Sequence, residues 1–327
     1  MRKKFFFALL SVVCFSWRAS AQSSLLATLN HEGTISTYYG SSALQEAYNA
    51  ADHGDVITLS SGSFLGTDIK KAITLRGAGM TVDTVAHTEP TVISSNFNID
   101  VSDTLSHRLT MEGIYSNQTV TVSTLKNAMF LKCRFKNVNY TSNSSTMKDL
   151  NFIHCRIAEG FNLATNGSAS FLNCVVMNPY QYSSETSVFS FTNCYVNNIN
   201  MGHSEYKNCI INHRYSGIST TTYYNNLWLC SNNSSLSSPN KTNVKISPDD
   251  ERVSYLNVDY NDDNDYQLTD AVRALIKGTD GTEVGIYGGS LPYDPTPTNP
   301  QITKFNVAAK STADGKLSVD IEVNSAN

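Results

Sequence analysis

Long hydrophobic runs are missing from this chain after its first fifteen residues. Beyond Phe5–Phe15 no stretch approaches the about 20 apolar residues that a membrane-crossing helix needs. Charge is also scarce, at 16% of residues, and Lys plus Arg number 24 against 28 Asp plus Glu. Four of the basic residues lie within the first 21, leaving 20 basic against 28 acidic, a net charge of −8. That balance argues against nucleic acid or an anionic membrane as a general partner. Cys and His never pair at zinc-finger spacing, which removes that class of metal site. His31, His53, His87, His107, His203 and His213 are scattered, and no Ser, His and acid arrangement can be assembled from their spacing.

What the sequence has instead is repetition. FLKCRF (130–135), FIHCRI (152–157), FLNCVV (171–176), FTNCYV (191–196), YKNCII (206–211) and YNNLWL (224–229) share one pattern of aromatic, any, polar, small apolar, any, aliphatic. Cys133, Cys155, Cys174, Cys194 and Cys209 follow at steps of 22, 19, 20 and 15, and Leu227 stands 18 further on. Such a period means stacked supersecondary units. The aromatic and the Cys are three apart, so an unbroken strand would send them to opposite faces. All three columns point inward only if the residue between them turns the chain. That residue is Asn173, Asn193, Asn208 and Asn226 in four units, and Asn tolerates the left-handed region. The coils therefore stack about 4.8 Å apart, with the thiols free and buried. The expected fold is all-β, a single-stranded right-handed parallel β-helix with about ten turns of about 19 residues by residue 230.

Around this solenoid the chain divides into segments. Residues 1–21 read as a secretory signal peptide, with Arg2, Lys3 and Lys4 before the apolar run and Ala19-Ser20-Ala21 at its end. Residues 22–290 hold the β-helix and its cap. Ser42-Ala-Leu-Gln45 has the spacing of a capping box ahead of a short amphipathic helix that covers the first coil. Strand-like runs follow at 56–59, 72–75, 92–95 and 108–111, with Gly77, Asn96 and Gly113 at the bends. Residues 291–300 carry four prolines and read as a linker. Residues 301–327 alternate as two strands around Ala313-Asp314-Gly315, either a hairpin extension or the start of a sandwich.

Four stretches, ALQEAYNAADHGDVITLSSGSF (43–64), ITLRGAG (73–79), LTMEGIYSN (109–117) and the repeated coils, resemble the pectin-lyase-like superfamily of right-handed parallel β-helices. DYQLTDAVRALIKGTDGTEVGIYGG (265–289) is similar to the closing segment of many secreted bacterial β-helix proteins. The resemblance implies the fold. It leaves the activity open, because the superfamily holds lyases, hydrolases, esterases and non-catalytic surface proteins.

Two groups of residues are candidates for chemistry. Lys132, Arg134, His154 and Arg156, with Lys136 beside them, form a basic concentration on one expected outer face; Tyr195 and Trp228 are assigned to the same outward column as a saccharide-binding surface. In the superfamily's polysaccharide lyases, Arg or Lys acts as base and neutralises a uronate, often beside Ca²⁺ held by carboxylates. Here the cations are present, while Asp149 and Glu159 are the nearest acids and neither repeats on a strand. The second group, Asp259, Asn261, Asp263 and Asp265 with Asp270 at the twelfth place, has the spacing of a Ca²⁺ loop, but Asn264 stands where Gly makes the turn. The closing-segment reading covers this stretch better. The expectation is a non-catalytic exported bacterial protein of the envelope or exterior that presents its surface to glycan or protein partners, without a cofactor. The alternative is a polysaccharide lyase acting through Lys132, Arg134, His154 and Arg156.

Overall fold

A computed structural model describes residues 25–83, 88–102, 106–181, 186–199, 203–214, 221–230, 242–256, 260–296, 298, 301–308, 310–312 and 314–324. Residues 1–21, read from sequence as a signal peptide, and Asp259 lie outside them. The chain forms a parallel β-solenoid of about eight turns. Its two long sheets run along the axis, one from Val56–Leu59 to Thr222–Tyr224 and the other from Gly62–Phe64 to Val244–Ile246.

The turns number fewer than ten because one coil is double length. Thr74 pairs with Thr110 and Leu75 with Met111, so 36 residues separate neighbouring strands there. Phe97–Asp100, taken from sequence as a coil of its own, instead pairs with the far end of the long strand Ile114–Lys126. Asn96 therefore makes no bend of the repeating kind.

Inside, the columns stack as the pattern requires. Phe130, Phe152, Phe171, Phe191 and Tyr206 lie ring on ring at 4.6, 4.7, 4.9 and 4.8 Å between centroids. Offset stacks of this kind contribute about 0.5–1.5 kcal/mol per pair beyond their buried area. All five ladder thiols are free and buried. Each thiol from Cys155 onward donates to the carbonyl of the aromatic one coil back, as Cys174 does to Phe152 O (3.4 Å), and accepts a backbone N–H from the previous Cys.

The last coil is shifted by one residue from the sequence alignment. Tyr223, not Tyr224, pairs with Tyr206, and Asn225 carries the left-handed bend. Asn226 then enters the thiol column. Its Oδ1 accepts the Cys209 N–H (2.7 Å) and its Nδ2 donates to Tyr206 O (2.9 Å), repeating both bonds of the thiol it replaces. Trp228 follows on the inside and pairs with Ile211.

The start of the solenoid and one of its flanks are covered. At the start, Thr34–Tyr39 pairs antiparallel with Leu26–His31, which pairs antiparallel with Val56–Leu59. The helix Ala43–Ala50 buries Ala43, Leu44, Ala47 and Tyr48. Ser42 precedes it but makes no side-chain cap bond, so the capping box is not formed. After the last coil, residues 253–256 and 260–293 lie against the outside of the coils and build a second core from Leu256, Tyr266, Val272, Ile286 and Tyr293. The expected hairpin is present as Gln301–Val307 paired antiparallel with Val319–Asn324. Among the described residues no helix is long and apolar enough to cross a membrane.

Candidate functional site

The bend column decides which candidate residues are open. Lys132, His154, Asn173, Asn193, Asn208 and Asn225 all hold φ between 50° and 57°, so their side chains leave the stack at one corner. The returning chain, a strap from Lys277 to Thr298, is bonded to that corner coil by coil. Asn225 Nδ2 donates to Lys277 O (3.0 Å) and Asn208 Oδ1 accepts from Thr279 N–H (2.8 Å). Asn173 Nδ2 donates to both Ile286 O and Gly288 O. His154 Nε2 meets Leu291 O at 3.1 Å, and Lys132 Nζ meets Asp294 Oδ2 at 3.0 Å and donates to Thr296 O. Glu112 Oε1 receives Thr298 N–H (3.1 Å) at the far end. Gly289, at φ 80°, lies so close to the Asn193 amide that a Cβ there would stand 2.2 Å from its Nδ2. Residues 291–296, read from sequence as a linker, are thus docked structure.

Under the strap the basic row is closed in. Lys132, His154 and Arg156 are buried, which corrects the expectation that they form an open face. Burial and the neighbouring Lys132 hold the His154 imidazole below its ordinary pKa against the bond to Leu291, while its Nδ1 has no hydrogen-bond partner. Burial opposes the Asp294 charge, yet hydrogen bonds from Thr296 and Lys132 keep its carboxyl below the usual range. Arg156 Nε donates to the Tyr293 hydroxyl (2.8 Å), and its guanidinium faces the Tyr266 and Tyr293 rings. Burial raises the Tyr293 phenol against the opposing charge of Arg156, so it stays protonated. Tyr195 does leave the stack, but it is fully buried against Tyr266 and its hydroxyl donates to Leu256 O. Trp228 is in the interior core, because the one-residue shift of the last coil turns it inward.

Arg134 and Lys136 remain at the edge of a cleft of about 970 Å³. Tyr115 and Asn117 line it from one coil, Arg134 and Lys136 from the next, then Glu159, Asn178 and Asn197 from the three that follow. Its other wall is the loop 260–263. Both candidate groups therefore meet here, and the acids missing from the coil positions arrive from the returning chain. Asp262 pairs with Arg134 (2.8 Å), and Lys136 stands 3.7 Å from Glu159. Arg134 also lies over the Tyr115 ring, 4.1 Å from its centroid.

Apart from Asp259, which lies outside the described residues, members of the calcium-loop spacing are bonded within the chain. Asn261 Oδ1 accepts Asp263 N–H (2.9 Å), Asp265 Oδ1 accepts Gln267 N–H (3.0 Å), and Asp270 pairs with Arg273 (2.6 Å). Among the described residues, no three His, Cys, Asp or Glu side chains converge as metal ligands. Tyr115 had a sequence signal that went unused, since it stands in register with Arg134 one coil earlier. Tyr260 and Asp262 had none, because their place depends on a fold-back across more than a hundred residues.

Comparisons of the chain with protein-family models, curated proteins and solved structures each returned no match. The architecture rests on its own strand pairing, and the site on its own geometry.

Proposed function

We propose that this chain is an exported, non-catalytic bacterial protein of the pectin-lyase-like β-helix kind that binds a glycan in the cleft beside Arg134. One observation carries the reading: the cleft crosses five successive coils with polar or aromatic groups on each, Tyr115 and Asn117, Arg134 and Lys136, Glu159, Asn178, and Asn197. Coils repeat at about 4.8 Å, close to the length of one pyranose unit. An extended oligosaccharide lying along the axis therefore meets an amide, a charged group or a ring at each sugar. Aromatic rings and fixed polar groups are the usual furniture of such sites.

The lyase alternative needs its base and its cations in contact with substrate. Of Lys132, Arg134, His154 and Arg156, Arg134 alone lines the cleft; the other three are buried with the strap across them. Asp262, Asp263 and Glu159 line the same cleft, so the test is run with and without a divalent cation. Purified protein is titrated with oligosaccharides by calorimetry and incubated with polyuronates, with and without Ca²⁺, while absorbance of unsaturated product is followed. Saturable binding that weakens on the order of tenfold, or about 1.4 kcal/mol, in Tyr115→Ala supports the binding reading. Product that forms and then vanishes in Arg134→Gln would replace it with the lyase.

A further inference from the structure

Arg134 is already paired with an acid, and that acid belongs to the protein itself. One edge of the guanidinium meets Asp262 (Nη2 to Oδ2, 2.8 Å), while its faces lie toward Tyr115 (4.1 Å) and Tyr260 (5.3 Å). Its Nε is buried with no hydrogen-bond partner. The two partners are held differently. The Arg134 side chain is 15% exposed and packed between rings, whereas Asp262 is 51% exposed on the loop wall. Arg156 stands in register one coil further on, and among the described residues it has no carboxylate partner. Of these two neighbouring guanidinium groups only Arg134 is paired with a carboxylate among the described residues, and like charges in register across a sheet repel. The cleft opens directly beside them.

We propose that Asp262 occupies the place of a ligand's acidic group, and that the cleft takes a saccharide bearing a carboxylate or a sulfate ester, which displaces Asp262 from Arg134. This inference rests on the glycan-binding reading above. A planar guanidinium fixed between two rings presents its donors in the fork that carboxylate and sulfate oxygens match, with little ordering left to do on binding. The exchange is undemanding because the displaced carboxylate is half in water, where an ion pair is weak. Arriving acid also meets the field of Arg156 behind Arg134. An uncharged sugar gains nothing from the exchange, since Arg134 would then lose its partner for a weaker one. Asp262 therefore acts as a built-in competitor that lowers affinity for acidic ligands and sets a threshold for them.

The experiment compares wild type with Asp262→Asn, each titrated with a uronate oligomer, a sulfated oligosaccharide and an uncharged glucan of equal length. Thermal midpoints of both proteins are recorded to confirm the same fold. Asp262→Asn is expected to bind one or both acidic oligomers about 2- to 5-fold more tightly, the range an exposed ion pair supplies, with the uncharged glucan unaffected. Which acidic oligomer responds tells carboxylate from sulfate. Equal or weaker binding of both acidic oligomers by the variant overturns the role of Asp262 while leaving the glycan reading standing. Preference for the uncharged glucan in both proteins overturns the ligand class. Binding of none of the three by either protein defeats the glycan reading and this inference with it.

Discussion

Asn173 does three jobs with one side chain and one backbone conformation. It holds φ at 50°, sends its amide out of the stack, and donates to Ile286 O (2.7 Å) and Gly288 O (2.8 Å) while fully buried. Alanine would leave two buried carbonyls short of a donor and keep the strained backbone, a cost of about 2–4 kcal/mol. Asn173→Gly relieves the backbone part, so denaturant melts should rank wild type, then Gly, then Ala; equal losses in the two variants would show that the bend carries no strain. His154 sits in the same conformation with a less suitable side chain, and burial lowers its pKa. Its unfolded form therefore binds a proton more readily than its folded form. Stability attributable to neutral His154 is complete above about pH 6.5 and declines as the pH falls through the window between that value and the lowered one. His31 is raised by its bond to Asp55 and works in the opposite sense, stabilising below its unfolded pKa and ceasing to do so as the pH rises. The measurement is thus a difference: subtracting the pH profile of His154→Asn from that of wild type should leave a slope of stability rising with pH below about 6.5. A flat difference would mean His154 titrates normally.

The strap is the element that turns an outer face into a second interior. Tyr293, Leu291 and Asp294 cover Arg156, His154 and Lys132, so a chain ending at Gly289 should uncover two cations and an imidazole, while one ending at Pro300 keeps them covered. The shorter chain is expected to be retained on a sulfated matrix and released by salt, and the longer one to pass through; identical elution would mean the row is open already. None of this was legible in the sequence. A periodic pattern reports which residues share a column, and it placed the aromatic, thiol and aliphatic columns correctly from Phe130 to Ile211. It cannot report what later lies across a column, because amide-to-carbonyl bonds across more than a hundred residues, such as Asn173 to Ile286, leave no local trace. The last coil slipped for a different reason. Tyr223-Tyr224-Asn225-Asn226 offers two aromatics and two bends, and only the partner strand Ser204–Lys207 selects between them. Likewise the hairpin at 26–39 leaves no repeat signal, since an antiparallel cap shares no period with the coils it closes.

At the scale of the whole molecule, stability divides between nearest-neighbour stacking and the strap that spans many coils at once. Solenoids without such a tie approximate a sum of repeat and interface terms. Here, removal of residues 174–193 would join Asn173 to Cys194 and restore the bend-and-thiol sequence, yet it would displace every strap contact beyond the cut by one strand spacing, about 4.8 Å. The deletion is expected to cost more in the full chain than in a chain ending at Ile276, which lacks the whole strap, and a double-mutant cycle on denaturant midpoints reads the coupling; additive losses would mean that the strap has no fixed phase. The bond from Thr298 to Glu112 closes a circuit of 186 residues. Contacts so distant in sequence form late, once the loop entropy they require has been met by nearer ones. The strap therefore acts as a tally of finished coils: only a stack of the right length brings Lys277 and Thr298 to their stations together, so its docking distinguishes a completed molecule from one still lacking a turn.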